Sequence, residues 1–578
     1  MPPASHAHGC CQPHKEFELL VDSSDELPRV ELIAEKTEES GHATHAFFGR
    51  IITMNEAMPE AEAIAVRHKK ILAIGSREDV EGHCGHRTKK VELGSKIMYP
   101  GFVEPHMHIW STAIIYKWLD CSPFENKSVD DVLLKIKKGV EEAKSGEWVT
   151  GKLYDPSLFP GNPDLTVREL DPISPNNPVS MLNASQHFAY VNSKALELIG
   201  YTDATPDPPG GTIYRDDQGH LTGVLGEIPA IAPALKKMNK LKIAVELPEN
   251  ITAITRDAAR VGVTCMREAL TGALLGEKEI LLLKMMKDTG GLHTRLNVAV
   301  SDNKAEVWEK SKHVAPGYGD DLLRIGAWKI VSDGSNQGRS GYLKEPYLNT
   351  DTRGMLDLTE DDLLKRIAWC EENGWQLMVH ANGDAAIEMV TNAYYSVLKK
   401  AGSKGLRHRI EHCSLVPSDD LFEKMAEVGV SPSFLINHVF YWGRAFKDHL
   451  IGEGRALYLD KVASALSHGL KFTLHSDYNV SPINPLHYIQ VAVTRKMWDG
   501  GEVLNPDQRI SVYDALKAMT VNSAWQLNMD DAIGSLEPGK YADLVILDRD
   551  PQEVEPDEID SIQVIETWMN GRQTYARS

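Results

Sequence analysis

Apolar runs with strand character alternate with helix-like segments through most of this chain, and this alternation constrains its fold more than any other feature. The helix-like "ITAITRDAARV" leads into the apolar run "GVTCMREA", and "EKEILLLKMMKDTG" leads into "RLNVAVS". The pattern continues as far as "LKFTLHSD". Strands separated by helices pair in parallel, so about eight such units predict an α/β protein built on a (β/α)₈ barrel of the TIM type.

The two ends of the chain have a different residue pattern. Near the start, "AFFGRIITM" and "AEAIAVRHKKILAIG" are short β-branched runs that turn residues separate. Near the end, "GKYADLVILD" and "SIQVIETWMNGRQTY" show the same pattern of short β-branched runs. Short runs of this kind are typical of a small β-unit. We therefore expect both ends to form one small β-sandwich into which the barrel is inserted.

These patterns divide the chain into segments. Residues 1–44 are rich in acidic and polar residues without sustained periodicity, so we predict a disordered tail. Residues 45–98 and 531–578 are the two parts of the sandwich, and residues 99–530 form the barrel. Within the barrel, residues 112–225 carry many loop-formers and are expected to be a large excursion that forms a lid or wall. The tail also holds a dense group of histidines and cysteines whose spacing matches no standard zinc finger: His6, His8, Cys10, Cys11 and His14.

The composition argues against several kinds of partner. The formal net charge of -20 gives no electrostatic reason to bind nucleic acid or an anionic membrane. Apolar runs fall short of the ~18 residues of a membrane span, and the first residues lack the pattern of a secretory signal. The 7 cysteines are an odd number scattered through a large protein, which favours a reducing compartment. We expect a cytoplasmic protein, and the sequence leaves its oligomeric state open, with a homo-oligomer as one of the alternatives.

The stretch "PGFVEPHMHIW" carries the first chemical signal. His106 and His108 are one residue apart directly after an apolar run. In a strand, residues i and i+2 point to the same face, so both imidazoles would project together. Two converging imidazoles suit a metal ion, although two hydrogen-bonded histidines near a strand end would have the same spacing.

The rest of the chain favours the metal. Polar residues with metal-binding or acid–base chemistry end several of the apolar runs: His106, His108, Lys329, His380, His412 and Asp477. Each has an ordinary alternative, because a histidine is often a hydrogen-bonded core residue and Asp477 could cap a helix. In a (β/α)₈ barrel, however, reactive groups meet at the carboxyl ends of the strands. Four imidazoles, a carboxylate and a lysine there are typical of a metal-dependent hydrolase.

The order of these motifs resembles the amidohydrolase superfamily, in the branch that contains N-substituted formamide deformylase. The motifs are "PGF-x-x-x-H-x-H", a strand-ending lysine, "H-A-x-G-D", "R-I-E-H", "S-D" and a closing "G-S-L-E-P-G-K-x-A-D-L-V". The resemblance covers residues from about 45 to 578. It implies the same architecture, a barrel inserted into a small β-sandwich.

The resemblance also implies a role for each motif residue. His106 and His108 resemble the pair that holds the more buried metal, and His380 and His412 resemble the ligands of strands five and six. Asp477 matches the aspartate that touches metal and moves the proton. Lys329 stands where many relatives carry a carboxylated lysine that bridges two metals, and a lysine paired with a carboxylate is the alternative.

Neighbouring residues are expected to shape the pocket. His187 resembles a family position that faces the site from the excursion, while Trp328 and His438 could supply an aromatic wall; all three are predicted to bind substrate. Arg409 and Glu411 are expected to orient ligands rather than react.

We therefore predict a divalent metal, zinc in the first instance, with one or two ions per chain. The predicted reaction is hydrolysis of a carbon–nitrogen bond, of an amide or formamide-like kind, in a small-molecule substrate. A decarboxylase or other lyase on the same metal site is the alternative within this scaffold. A metal-binding protein that has lost catalysis is the alternative of another class.

Overall fold

The computed structural model describes residues 41–161, 163–209, 211–238, 240–498 and 500–578. The histidine and cysteine group of the amino terminus, and nearly all of the predicted tail, lie outside these residues.

The first strands after residue 41 divide between two sheets. Four of them belong to a sheet at the chain ends, and the fifth is the first barrel strand: β1 (His45–Ile52), β2 (Glu60–Arg67), β3 (Lys70–Gly75), β4 (Lys89–Pro100) and β5 (Phe102–Met107). Strand β1 is antiparallel to β2 and parallel to β4. Only Gly101 separates β4 from β5, so the chain passes directly from one sheet into the other.

The excursion that follows β5 has a sheet of its own. Its strands are β6 (Leu119–Asp120), β7 (Val149–Tyr154), β8 (Val179–Asn183), β9 (Phe188–Val191), β10 (Thr212–Arg215) and β11 (Leu221–Gly226). They lie in the order β10-β11-β9-β8-β7-β6. The excursion is therefore an ordered sheet with its own apolar core rather than a long irregular loop.

The remaining barrel strands come from the middle of the chain. They are β12 (Val263–Thr271), β13 (Arg295–Ser301), β14 (Leu323–Val331), β15 (Gln376–Ala381), β16 (Arg409–His412), β17 (Ser431–Phe434) and β18 (Thr473–Leu474). With β5 they form an eight-stranded sheet in which each strand is parallel to the next. A bridge between Met107 and Tyr478 joins its two edges, so the barrel is nearly closed.

The carboxyl-terminal strands complete the first sheet. They are β19 (Leu544–Leu547), β20 (Val564–Met569) and β21 (Arg572–Ala576). Strand β19 is antiparallel to β4, which gives a seven-stranded sheet in the order β21-β20-β19-β4-β1-β2-β3. The predicted fold class, an α/β protein with a (β/α)₈ barrel inserted into a small β-sandwich formed by both chain ends, is confirmed, and the strands of the two ends belong to one seven-stranded sheet.

Helices connect the strands of the barrel and the excursion, and one short helix lies between β3 and β4 of the terminal sheet. In chain order they are α1 (Arg77–Glu81), α2 (Ile109–Ile115), α3 (Val129–Glu142), α4 (Val167–Leu170), α5 (Ser193–Ile199), α6 (Glu227–Lys237), α7 (Lys240–Arg260), α8 (Glu277–Asp288), α9 (Ala305–Trp308), α10 (Glu360–Asn373), α11 (Asp384–Ala401), α12 (Asp420–Val428), α13 (Gly443–Ala445), α14 (Glu453–Ala456), α15 (Val462–Ser467), α16 (Pro485–Thr494), α17 (Val512–Met519) and α18 (Val521–Gln526). Two π-helical segments flank α13: His438–Trp442 and Phe446–Leu450. None of the helices in the described ranges combines the length and the apolar character that a membrane crossing requires.

Helix α10 illustrates how local sequence sets these elements. The Thr359 side chain accepts a hydrogen bond from the backbone N–H of Asp362 and caps the amino terminus. Gly374 ends the helix in the left-handed conformation, which glycine adopts without steric cost. The buried residues Leu363, Ile367 and Cys370 recur at helical spacing and face the barrel.

The interior of the barrel is filled below the carboxyl ends of its strands. Small side chains and one methionine form a buried cluster: Ala269, Ala299, Ala327 and Met378. The buried guanidinium of Arg267 donates to Asn297 Oδ1 at 2.8 Å and to Gln376 Oε1 at 2.6 Å. A packed interior of this kind leaves the strand ends as the place where a cavity can form.

Candidate metal centre

The barrel brings the predicted metal-binding residues to one end. His106 lies near the end of β5 and His108 precedes α2, while His380 and His412 lie at the ends of β15 and β16. Lys329 lies near the end of β14, and Asp477 follows β18. All six side chains line, or lie directly beneath, a single cavity.

Asp477 lies at the centre of this group. Its Oδ1 atom is 3.3 Å from His106 Nε2 and 3.2 Å from His108 Nε2, and its Oδ2 atom is 3.9 Å from His412 Nδ1. Neighbouring ligands of a tetrahedral metal with bonds of about 2.0–2.1 Å are roughly 3.3 Å apart. Asp477 Oδ1 is therefore at the ligand–ligand separation of one divalent ion from both His106 Nε2 and His108 Nε2, and the donor atoms of His106, His412 and Asp477 all lie within 4.8 Å of one another.

The other two histidines extend the cluster. The ring of His412 lies 4.8 Å from that of His106 and 4.5 Å from that of His380, measured between centroids. His380 Nε2 is 3.1 Å from the carbonyl oxygen of Gly334, which leaves Nδ1 as its nitrogen for a metal. His380 and His412 therefore add two imidazoles to the donor atoms around Asp477.

The backbone is strained where two of these residues lie. His412 and Asp477 have φ angles of 64° and 53°, in the left-handed region that residues other than glycine rarely adopt. Strain of this kind is kept where the surrounding structure needs the side chain in one direction. Here it turns both side chains toward the same point.

Burial and neighbouring charges set the protonation states of the cluster. Burial first, and the positive charge of Lys329 second, lower the pKa of His106 and lower that of His380 to about 3. Burial also opposes ionisation of Asp477, but interactions with His108 and His106 outweigh it and hold the pKa of Asp477 well below its ordinary value. Neutral imidazoles and an ionised carboxylate are the protonation states that metal binding requires.

Lys329 and Trp328 point in opposite directions, because successive side chains of a strand alternate. Lys329 is 2% exposed and lines the cavity. Trp328 packs on Trp369 outside the barrel, with ring centroids 4.9 Å apart, and donates from Nε1 to Asp302 Oδ1 at 2.6 Å. Trp328 therefore lies outside the cavity, contrary to the expectation that it binds substrate.

Arg409 and Glu411 adjoin His412 in sequence, but in the structure they orient His106. Glu411 Oε2 accepts a short hydrogen bond from His106 Nδ1, and Arg409 lies 2.7 Å from Glu411 Oε1. Burial raises the pKa of Glu411, but Arg409 and His106 outweigh it and hold that pKa below its ordinary value. A carboxylate on Nδ1 leaves Nε2 of His106 as the atom that meets a metal.

Two buried carboxylates near the site were missed by the sequence analysis. Glu268 is a buried residue of β12 that lines the cavity and accepts hydrogen bonds from the backbone N–H groups of Ile109 and Leu270. Its place at the end of "GVTCMRE" is the same signal that identified the other residues. Asp333 lies 3.5 Å from His380 and accepts a hydrogen bond from the backbone of Asn382 at 3.0 Å.

The cavity above the cluster has a volume of about 290 Å³. Its upper wall comes from the excursion and from helices α6 and α7, and it is largely apolar. Apolar residues of this wall and of the barrel rim include Ile114, Trp118, Leu182, Ile228, Leu235 and Ile243. His187 and His438, both predicted to bind substrate, line the same cavity.

His438 presents a defined face to the cavity. The hydroxyl of Ser414 donates to Asn382 Oδ1 at 2.8 Å, so Ser414 Oγ can only accept from His438 Nδ1, which is 3.2 Å away. Burial lowers the pKa of His438 to about 3, so the ring is neutral. Nε2 of His438 is therefore an acceptor for an N–H or O–H group.

Known proteins share sequence with this chain over most of its length. The model of the amidohydrolase family matches residues 90–575. Protein LONG AFTER FAR-RED 3 of Arabidopsis thaliana is 30% identical over 549 residues, which cover 91% of this chain and 90% of that protein. N-substituted formamide deformylase of Arthrobacter pascens is 27% identical over 533 residues, which cover 90% and 95%.

A solved structure shows the same fold. It is that of an uncharacterized metal-dependent hydrolase from Pyrococcus horikoshii OT3, with a TM-score of 0.68 and 23% identity. The match covers 89% of this chain and 99% of that protein.

Proposed function

This chain belongs to the amidohydrolase family and is a metal-dependent hydrolase, and we propose that it hydrolyses a carbon–nitrogen bond of an amide or formamide in a small molecule. The observation that carries the proposal is the convergence of His106, His108 and Asp477 at the base of the cavity, where Asp477 Oδ1 lies 3.3 Å from His106 Nε2 and 3.2 Å from His108 Nε2. The similarity to N-substituted formamide deformylase supports this choice of bond.

We propose that His106, His108 and Asp477 hold zinc and that His380 and His412 hold a second ion. When bound, a divalent ion lowers the pKa of a water molecule to about 7 and polarises a carbonyl oxygen. Imidazole and carboxylate donors are the set that zinc commonly takes. In this arrangement Glu411 fixes the ring of His106, so the first position is the more rigid of the two.

Lys329 would connect the two positions as a carbamate. Its neutral amine can add to CO₂, with loss of one proton, to give an N-carboxylate with two oxygen donors. Lys329 is buried beside the histidines and influences the pKa of His106 and of His380, which supports a location between them.

Asp477 would take the proton from the attacking water. Its carboxylate is ionised and lies at the base of the cavity, where the carbonyl carbon of a bound amide would be. As the water oxygen bonds to the carbonyl carbon, Asp477 accepts its proton and so acts as general base. The amide would lie along the cavity with an N–H or O–H group toward Nε2 of His438.

A substrate panel with metal analysis tests the proposal. The panel contains N-substituted formamides, N-acetylated amines and aromatic carboxylic acids, and the metal content of the same preparation is measured. We expect one or two zinc ions per chain and release of amine from a formamide or amide. Release of CO₂ from an aromatic acid would indicate a lyase, and bound metal without any turnover would indicate a protein that has lost catalysis.

Variants make this assay specific to the site. His108→Ala should abolish turnover, because it removes a metal ligand that lies at the cavity. His220→Ala is the matched control, since His220 is an exposed histidine on the excursion, away from the cavity. Equal activity of the two variants would contradict the proposed site.

A further inference from the structure

A second histidine–carboxylate pair faces the metal cluster from the other side of the cavity. His187 lies between β8 and β9 of the excursion, and its Nδ1 atom is 2.8 Å from Glu227 Oε2. Their side chains are only 14% and 13% exposed. His187 lines the cavity together with His108, His380 and Asp477. His187 is thus part of the cavity wall, with Glu227 beside it, and it is carried by a different sheet from the metal ligands.

The backbone holds this pair in place. The N–H of Glu227 donates to the carbonyl oxygen of His187 at 2.6 Å, so the two residues are joined by both backbone and side chain. Glu227 and Gln186 have φ angles of 65° and 62°, a conformation that costs free energy for residues with a side chain. The fold therefore retains strain at the residue before His187 and at its partner Glu227.

A third contact ties the pair to the barrel. Gln186 Nε2 donates to Asn479 Oδ1 at 2.8 Å, two residues after Asp477. The segments that carry His187 and Asp477 are consequently linked across the cavity.

We propose that His187 is the acid that protonates the leaving nitrogen and that Glu227 is its positioning residue. The inference rests on the proposed hydrolysis of a carbon–nitrogen bond. With Glu227 on Nδ1, the atom that meets the substrate is Nε2. A carboxylate at 2.8 Å also stabilises the protonated ring, which is the form that can donate. Asp477 then acts on the water that attacks the carbonyl carbon, and His187 acts on the leaving nitrogen from the opposite wall of the cavity.

The proton balance of the reaction is complete with these two groups. Water loses one proton to Asp477, and its oxygen bonds to the carbonyl carbon. The C–N bond then breaks, its electron pair goes to nitrogen, and the Nε2 proton of His187 goes to the same nitrogen. The products are a carboxylic acid and an amine. Asp477 releases its proton to solvent and His187 regains one from solvent.

The dependence on the leaving group tests this role. N-benzylformamide releases an amine that must be protonated as it leaves, whereas 4-nitroformanilide releases a nitroaniline that leaves without prior protonation. We compare kcat of wild type, His187→Gln and Glu227→Gln on both substrates. His220→Gln is the matched control, because His220 pairs with Asp203 at 3.0 Å on the same excursion but is exposed.

We expect His187→Gln to lose about 10²–10⁴-fold in kcat on N-benzylformamide and less than about 10-fold on 4-nitroformanilide. Glu227→Gln should show the same selectivity with a smaller loss, and His220→Gln should match wild type. Metal content and melting temperature are measured for each variant, and we expect both to stay near wild-type values.

Three results would overturn the inference. Equal losses on both substrates, or no loss on either, would mean that His187 does not protonate the leaving group although the hydrolase activity stands. A wild-type protein that hydrolyses neither substrate would contradict the proposed function, and the role of His187 with it.

Discussion

Single residues of the cluster separate metal binding from proton transfer. His106 is fully buried and held by Glu411, whereas Asp477 is 8% exposed at the base of the cavity. We predict that Asp477→Asn keeps most of its metal but loses about 10²–10⁴-fold in kcat, because the amide keeps an oxygen donor but not the basic site. His106→Ala should lose metal first. The measurement is zinc content with kcat for each variant.

The contrast between the two variants is the control. Near-native kcat in Asp477→Asn would refute the role of Asp477 as base, whatever its metal content. Full zinc content in His106→Ala would refute the role of His106 as ligand.

The bridging role of Lys329 can be tested by adding small carboxylates to a variant that lacks the lysine. If a carbamate on Lys329 bridges two ions, Lys329→Ala should lose metal and activity, and added acetate or propionate should restore part of both by supplying the missing oxygens. His380→Ala is the matched variant, since a carboxylate does not replace its imidazole. A structure that shows unmodified Lys329 paired with a carboxylate would contradict the bridge.

The buried imidazole of His438 is expected to make the free energy of unfolding depend on pH in the acid range. Burial lowers its pKa from the ordinary 6.5 to about 3, so between these pH values the unfolded chain binds a proton that the folded chain does not. Its contribution to stability is present above pH 6.5 and is lost as the pH falls toward 3. At about 1.4 kcal/mol per pH unit, the cost from pH 7 to pH 5 is about 2 kcal/mol.

The neutral variant His438→Gln lacks this cost. We therefore expect its melting temperature to fall less between pH 7 and pH 5 than that of wild type. His449→Gln is the control, because His449 is exposed in the neighbouring π-helical segment. A fall as large as that of wild type would show that His438 is protonated in the folded protein.

At the scale of secondary structure elements, the strand ends could be predicted from the sequence and their cross-contacts could not. His380 and His412 end apolar runs, so a local pattern locates them. The partner of Glu411 is His106, which is 305 residues away, and no local pattern connects them. Trp328 was misplaced because its neighbour Lys329 takes the inward direction of the strand. Glu268 carried a usable signal and was overlooked.

The excursion was harder to predict for a different reason. Its turn-rich sequence indicates loops, but hydrogen bonds between short strands of distant sequence position turn it into a sheet. That sheet brings His187 to the cavity. Its closeness to Glu227, 40 residues later, depends on the pairing of β9 with β11, in which Phe188 is opposite Gly226.

The start of α11 depends on a close approach of two backbones. A Cβ atom on Gly383 would lie 2.0 Å from the carbonyl oxygen of Tyr342, and the N–H of Gly383 donates to Asp333 at 2.8 Å. Gly383→Ala must therefore move the segment beside His380, and we predict a loss of about 1–3 kcal/mol of stability together with weaker metal retention. Melting temperature and zinc content measure both effects.

Gly454 provides the matched control, because a Cβ atom there meets no heavy atom within 4 Å. Gly454→Ala should be neutral or slightly stabilising, as expected for alanine in a helix. If both variants melt alike and retain the same zinc, the close approach at Gly383 does not constrain the site.

At the scale of the whole molecule, one buried ion pair joins the barrel to the terminal sheet. Arg295 of β13 lies 2.6 Å from Asp543, which directly precedes β19, and their side chains are 1% and 3% exposed. We predict that Asp543→Ala costs about 3–5 kcal/mol, because it leaves a buried guanidinium without its carboxylate. Urea denaturation followed by circular dichroism measures the change.

The partly exposed pair of Arg407 and Asp530 is the control, with side chains 25% and 41% exposed. Asp530→Ala should cost at most about 1 kcal/mol. Similar losses for the two variants would mean that the buried pair does not hold the barrel and the terminal sheet together.

The seven-stranded sheet also sets a time order for biosynthesis. Strand β4 leaves the ribosome early, but its partner β19 begins at Leu544, after the whole barrel has been made. At roughly 5–20 residues per second, the intervening residues take roughly 20–90 seconds to translate. During that time β4 is an open sheet edge, which is a template for aggregation. The nascent chain thus has to be shielded at β4, by chaperones or by its own barrel, until β19 has been made.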